Sequence, residues 1–142
     1  MDIRITKIND DLFFAENCGD FDLEATFHCG QAFRFSKKDD NGSFSAVVKN
    51  RLIRVTKEKG GISISGDRVS EDAEYYVDYL DLKLDYENIK KILSADENLK
   101  NAVIFAPGIH ILRQDPWEAL GSFIFSSNNN ITRISGMISR FC

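Results

Sequence analysis

Apolar residues along this chain change their spacing near residue 70, and each spacing predicts a different architecture. Up to residue 65 they fall in short runs: Ile3, Ile5 and Ile8, then Leu12, Phe13 and Phe14, then residues 33–36, 43–49, 52–56 and 62–65. Runs of that length, rich in Ile, Val, Phe and Thr, predict strands. The intervening Asp39-Asp40-Asn41-Gly42, Lys49-Asn50-Arg51 and Lys59-Gly60-Gly61 carry hairpin chemistry. Asp20-Phe21-Asp22 predicts the start of a short helix reaching Phe27, with Asp20 or Asp22 as its cap. Four or more short strands joined in sequence predict an antiparallel sheet with helices on one face, an α+β fold.

From Ser70 the period is helical. Ala73, Tyr76, Val77 and Leu80 share a face behind an acidic Ser-x-x-Ala start, and residues 86–93 and 98–105 continue the pattern until Pro107-Gly108 break it. A boundary is expected between 106 and 115, dividing an α+β domain over 1–108 from a helical segment over 109–142. Pro116, behind Asp115, opens a helix in which Trp117, Leu120, Phe123 and Ile124 make one face through about Ser127. Asn128, Asn129 and Asn130 interrupt it, and Ile131, Ile134, Met137, Ile138 and Phe141 make a second stripe with no glycine or proline stop before Cys142. A helix ending mid-period with its apolar face uncovered reads as a truncation, and that face must dock on the Trp117 helix or drive self-association.

Composition narrows the classes. With 142 residues, 43% hydrophobic and 28% charged, the chain suits one globular domain or a little more. No window approaches the roughly 18 apolar residues of a membrane span, and no basic-then-apolar leader stands at the N-terminus. The expected location is cytoplasmic, or nuclear in a eukaryote. Cys18, Cys29 and Cys142 are odd in number and lack CxxC spacing, which points to reduced thiols. His28 and His110 read as isolated, so no metal site is assigned. The net charge of −4 opposes a general nucleic-acid binder, although residues 1–100 hold 15 of the 18 Lys and Arg and 20 of the 22 Asp and Glu. Residues 101–142 then carry 3 basic and 2 acidic groups, a balance of +1.

Two stretches carry candidate chemistry. The asparagine triplet reads as an αα-hairpin turn whose last member caps the following helix. Short amides at such a tip are also able to enter a duplex, and the N-terminus of the second helix offers N–H groups to a phosphate. In Cys29-Gly30-Gln31-Ala32-Phe33-Arg34-Phe35, Gly30 reads as a left-handed glycine closing the short helix.

These two stretches, with Ile111-Leu112-Arg113-Gln114-Asp115-Pro116-Trp117 between them, resemble the 8-oxoguanine DNA glycosylases of the helix-hairpin-helix superfamily over nearly the whole chain. The resemblance implies a TATA-binding-protein-like sheet domain followed by the first helical hairpin of a catalytic domain. It implies a partner, double-stranded DNA with 8-oxoguanine opposite cytosine, and a reaction without cofactor: N-glycosidic cleavage, then β-elimination at the abasic site. An enzyme of that kind extrudes its target base, and something must fill the hole. By the resemblance Asn128 fills it, and Arg133 helps to read the orphaned cytosine, whose O2 and N3 accept hydrogen bonds. Asn129 and Asn130 are further candidate DNA contacts. Phe123 and Ile131 are candidates for the base pocket, although as members of apolar stripes they also read as core.

Gly30 aligns with the glycine whose carbonyl accepts from N7–H of 8-oxoguanine. Guanine N7 is a bare acceptor, so the same carbonyl repels the normal base. Absence of a Cβ permits the close approach. Cys29 stands where some relatives carry serine, and Gln31, Phe33 and Arg34 read as structural support. The family's catalytic lysine and aspartate find no match. Every lysine precedes Asn101, and Lys37-Lys38 and Lys90-Lys91 read as solvated pairs rather than desolvated nucleophiles. The chain is therefore expected to be the N-terminal part of a glycosylase/AP lyase, inactive alone. Two alternatives are an alkylpurine-type glycosylase of the same superfamily, which has no use for a carbonyl facing N7–H, and a non-catalytic DNA-binding module.

Overall fold

A computed structural model describes residues 2–37 and 42–141. Strands β1 (Arg4–Asn9), β2 (Leu12–Glu16), β3 (Ser36–Lys37), β4 (Phe44–Val48), β5 (Arg51–Glu58) and β6 (Gly61–Ser65) form one antiparallel sheet in the order β1-β2-β6-β5-β4-β3. The β4–β5 hairpin turns on Lys49 and Asn50, both at positive φ (52° and 60°), the backbone a two-residue hairpin requires. Asp39, Asp40 and Asn41 of the preceding turn lie outside the described residues. The strand expected at 33–36 shrinks to the two residues of β3, because Phe35 leaves the sheet edge for the core. There its ring stacks on Phe27 at 3.8 Å between centroids.

Alternation along the strands gives the sheet one buried face. Phe13 and Ala15 of β2, Phe44 and Ala46 of β4, Ile53 and Val55 of β5, and Ile62 and Ile64 of β6 all point into it. Helices α1 (Leu23–His28) and α2 (Ala73–Tyr79) cover that face with Leu23, Phe27, Ala73, Tyr76 and Val77. Each large side chain so buried stabilises the fold by about 1.5–3 kcal/mol.

The start of α1 is fixed by Asp22, whose carboxylate accepts from the N–H of Ala25 at 2.9 Å. Asp20 is engaged elsewhere, on Lys90 Nζ at 2.5 Å. That pair corrects the reading of Lys90 as solvated. Its ammonium also meets Glu87 at 2.7 Å and its side chain is only 16% exposed, so it works as a strut between the loop before α1 and helix α3 (Tyr86–Leu93). The helix expected to begin at Ser70 opens instead with a tight 3₁₀ turn over Val69–Asp72. Ser70 is not its cap: the hydroxyl donates to Asn9 O and the N–H to Asp10 O, tying the turn to the β1–β2 loop.

Helix α4 (Glu97–Phe105) follows, capped by Asp96, and residues 106–115 then run as an irregular strap to α5 (Pro116–Ser126) and α6 (Ile131–Phe141). The strap is pressed against the sheet domain. A Cβ at Gly108 would lie 2.3 Å from Asp20 O, and the glycine carbonyl accepts from the N–H of Asp22. Two positions on, His110 is buried, stacked on Tyr86 at 3.7 Å and edge-on to Phe21 at 4.7 Å. Its Nδ1 has no hydrogen-bond partner among the described residues, and burial pushes its pKa below the ordinary histidine value. Asp115 closes the strap as the cap of α5, accepting from the N–H groups of Trp117 (2.8 Å) and Glu118 (3.3 Å), with Pro116 in the first turn. No helix among the described residues is long and apolar enough to cross a membrane.

Candidate nucleic-acid interface

The three asparagines between α5 and α6 are chemically identical but not structurally equivalent. Asn129 closes α5: its Nδ2 donates to Phe125 O at 3.1 Å and its N–H to Ser126 O at 3.2 Å. Asn130 opens α6, its Oδ1 accepting from the N–H of Arg133 at 3.0 Å. The cap expected from the last member of the triplet is thus in place. Asn128 has neither task. It sits in the left-handed region at φ 53°, exposed, and its side-chain amide has no hydrogen-bond partner among the described residues. Holding a non-glycine residue there costs energy, and the turn spends it on the member whose amide is left free. Arg133, exposed on the first turn of α6, likewise has no ion-pair partner for its guanidinium among the described residues.

The other half of the site is the loop after α1. Cys29 ends that helix, and Gly30 follows at φ +88°, a conformation open to glycine and strained for other residues. A Cβ at Gly30 would stand 3.3 Å from Ile131 Cδ1, so the glycine packs on the first residue of α6, about a hundred positions later in the chain. Gln31 and Arg34 fasten the loop on its other side. The Gln31 amide bonds to main-chain groups of Thr26, His110 and Leu112, and Arg34 meets Glu118 of α5 at 2.6 Å.

Between loop and helix lies an open groove of about 590 Å³, lined among others by His28, Gly30, Phe33, Ile131, Ser135 and Ser139. Ile131 is therefore brought to Gly30, whereas Phe123 is exposed on α5 and stands outside this groove. His28, read from sequence as isolated, has a partner one helical turn earlier: its Nδ1 lies 2.6 Å from Glu24 Oε1. Glu24 also accepts from Lys37, and these two neighbours, Lys37 foremost, hold its carboxyl below the usual range. An i, i+4 spacing on a helix was the sequence signal for that pair. Among the described residues no group of three or more His, Cys, Asp or Glu gathers as a metal site would require. Sequence reasoning did not foresee that Gln31 and Gln114 would meet, because residues 83 apart carry no local pattern that joins them.

Left-handed Gly30 is thus seated against the first residue of α6, in a helical hairpin whose turn leaves the Asn128 amide free. The chain belongs to the 8-oxoguanine DNA glycosylase, N-terminal domain family, whose model matches residues 14–120. An N-glycosylase/DNA lyase of Saccharomyces cerevisiae is 29% identical over 140 residues, covering 90% of this chain and 37% of the relative. One from Arabidopsis thaliana is 30% identical over 122 residues, covering 82% of this chain and 33% of its own length. Among solved structures, the 8-oxoguanine glycosylase/lyase of Clostridium acetobutylicum, in complex with double-stranded DNA containing cytosine opposite 8-oxoG, is 38% identical. It superposes with a TM-score of 0.83 over 95% of this chain and 45% of that one. The chain thus spans less than half the length of these relatives. Membership in this family also decides against the alkylpurine alternative.

Proposed function

We propose that this chain supplies lesion recognition and duplex invasion for base-excision repair of 8-oxoguanine opposite cytosine. The Gly30 carbonyl accepts from N7–H of the extruded 8-oxoguanine and rejects guanine, whose N7 presents a lone pair to it. Ile131 forms a wall of the base site beside that carbonyl. Asn128 enters the space left in the stack, and Arg133 donates to the unpaired cytosine. Asn129 and Asn130 hold the two helix ends and present the tip, and the free N–H groups at the start of α6 face the backbone. The observation that supports this reading is the packing of left-handed Gly30 on Ile131, the first residue of the helix that follows the triplet.

Removal of the base and β-elimination at the abasic site belong to the proposed whole enzyme, and the isolated 142-residue chain is inactive in this reading. Incubating it with an 8-oxoguanine:cytosine duplex and borohydride should trap no covalent adduct. A trapped adduct would place the nucleophile among the lysines before Asn101 and overturn the division of labour proposed here. We also propose that the isolated chain self-associates through the exposed apolar faces of α5 and α6. Sedimentation over a range of concentrations checks this, and a monomer throughout would refute it.

A further inference from the structure

The carbonyl at the centre of this reading is one end of the peptide that joins Gly30 to Gln31. Its direction therefore depends on how Gln31 is held. The side chain of Gln31 donates through Nε2 to the carbonyls of Thr26 (2.9 Å) and His110 (2.8 Å), and its Oε1 accepts from the N–H of Leu112 (2.9 Å). The residue's own carbonyl accepts from Nε2 of Gln114. Both ends of Gln31 are thus pinned, on one side to α1 and on the other to the strap that leads into the Asp115 cap. Only an amide of this length presents two donors and an acceptor in that arrangement.

A clamp matters here because the neighbour is glycine. Without a Cβ, Gly30 resists rotation of the following peptide less than any other residue would, so its conformation alone does not aim the carbonyl. The strap that receives Gln31 is itself fixed, by the close approach of Gly108 to Asp20 and by the stacking of His110 on Tyr86. We propose that Gln31 is a positioning residue for lesion discrimination, aiming the Gly30 carbonyl through its bonds to Thr26, His110, Leu112 and Gln114. This rests on the reading of Gly30 given above. Gln31 touches no part of the base, and its contribution is to the preference for 8-oxoguanine over guanine rather than to affinity for DNA in general.

The test titrates the labelled 142-residue chain with short duplexes carrying one central 8-oxoguanine:cytosine or guanine:cytosine pair. It reads binding together with the Gly30 carbonyl and Gln31 amide resonances. One hydrogen bond gained against one repulsion removed is expected to give the native chain a lesion preference of about tenfold. Gln31→Glu sets a carboxylate against two carbonyls, and Gln114→Leu removes only the bond to the Gln31 carbonyl. Each should reduce the preference to about twofold or less, through weaker binding of the lesion duplex with no loss of affinity for the normal one, and with the resonances of residues 30 and 31 shifted or broadened. If Gln31→Glu fails to fold, Gln114→Leu decides alone. Folded variants that keep the full preference would overturn the positioning role. A native chain with no preference would instead overturn the reading of Gly30, and the inference with it.

Discussion

Around the sheet, Phe13, Val55, Ile62, Tyr76 and Leu80 are 0% exposed, whereas Trp117, Phe123 and Phe141 on α5 and α6 stand 75%, 74% and 73% exposed. Both regions are rich in large apolar residues, and the first buries most of its own. Helices α3, α4 and α5 contain no buried residue, and α6 contains two, Ile134 and Ile138. The sheet region is therefore a self-sufficient core that holds Gly30 at its edge. The helical region is a presented element, held to that core by the Gln31 and Arg34 contacts and by its own cap. Stability should reside in the first, and the proposed entry into the duplex in the second.

The largest break between the two should come from truncating equivalent aromatic side chains. Phe13→Ala is expected to cost about 3–5 kcal/mol of unfolding free energy through the cavity it leaves, while Phe123→Ala should stay within about 0.5 kcal/mol. Urea unfolding of the two variants measures both, and comparable losses would show that α5 belongs to the cooperative core. A smaller effect follows from the joint between the regions. Asp115→Ala removes the oxygen that satisfies two N–H groups of α5 and should cost about 1 kcal/mol. Hydrogen exchange should then accelerate in α5 and leave β2, β5 and β6 protected.

Titration of His110 reports on the strap that joins the two regions. Burial lowers its pKa in the folded chain from an unfolded value of 6.5. The unfolded state therefore takes up the proton first as pH falls. This residue's contribution to stability is full above 6.5 and is lost as pH drops through the interval down to the lowered folded value. Around the ring, the Leu80 and Asp81 main chain and the Asp81 and Asp20 carboxylates oppose the shift, and Tyr86 stacks on it. Unfolding midpoints between pH 7.5 and 5.5 should fall for the native chain and fall less for His110→Gln. The smallest effect on folding is at the tip, where Arg133→Ala should leave stability within about 0.5 kcal/mol. It should nevertheless weaken binding to a duplex in which cytosine is unpaired.

Most of the sheet was legible because its signals are local. Short runs rich in β-branched and aromatic residues marked β2, β4, β5 and β6, asparagine and glycine marked the turns, and Asp115-Pro116 marked the start of α5. The triplet was legible as turn and cap for the same reason. What stayed hidden depends on tertiary contact. The strand at 33–36 was lost to the stacking of Phe35 on Phe27, and Lys90 became a strut because Asp20, 70 residues earlier, folds beside it. The last asparagine was expected as the cap and, by the resemblance, Asn128 as the invading residue; the hydrogen bonds add that Asn129 closes α5 and that the Asn128 amide is the spare one.

If Gly30 identifies the lesion through the hydrogen at N7, binding should follow what the base presents at that one position. Three duplexes, each with cytosine opposite a central 8-oxoguanine, 7-deazaguanine or guanine, present the carbonyl with an N–H donor, a C–H group and a lone pair in turn. Dissociation constants should rise in that order, with 7-deazaguanine bound between the other two. Equal binding of guanine and 8-oxoguanine, or 7-deazaguanine bound no better than guanine, would contradict it.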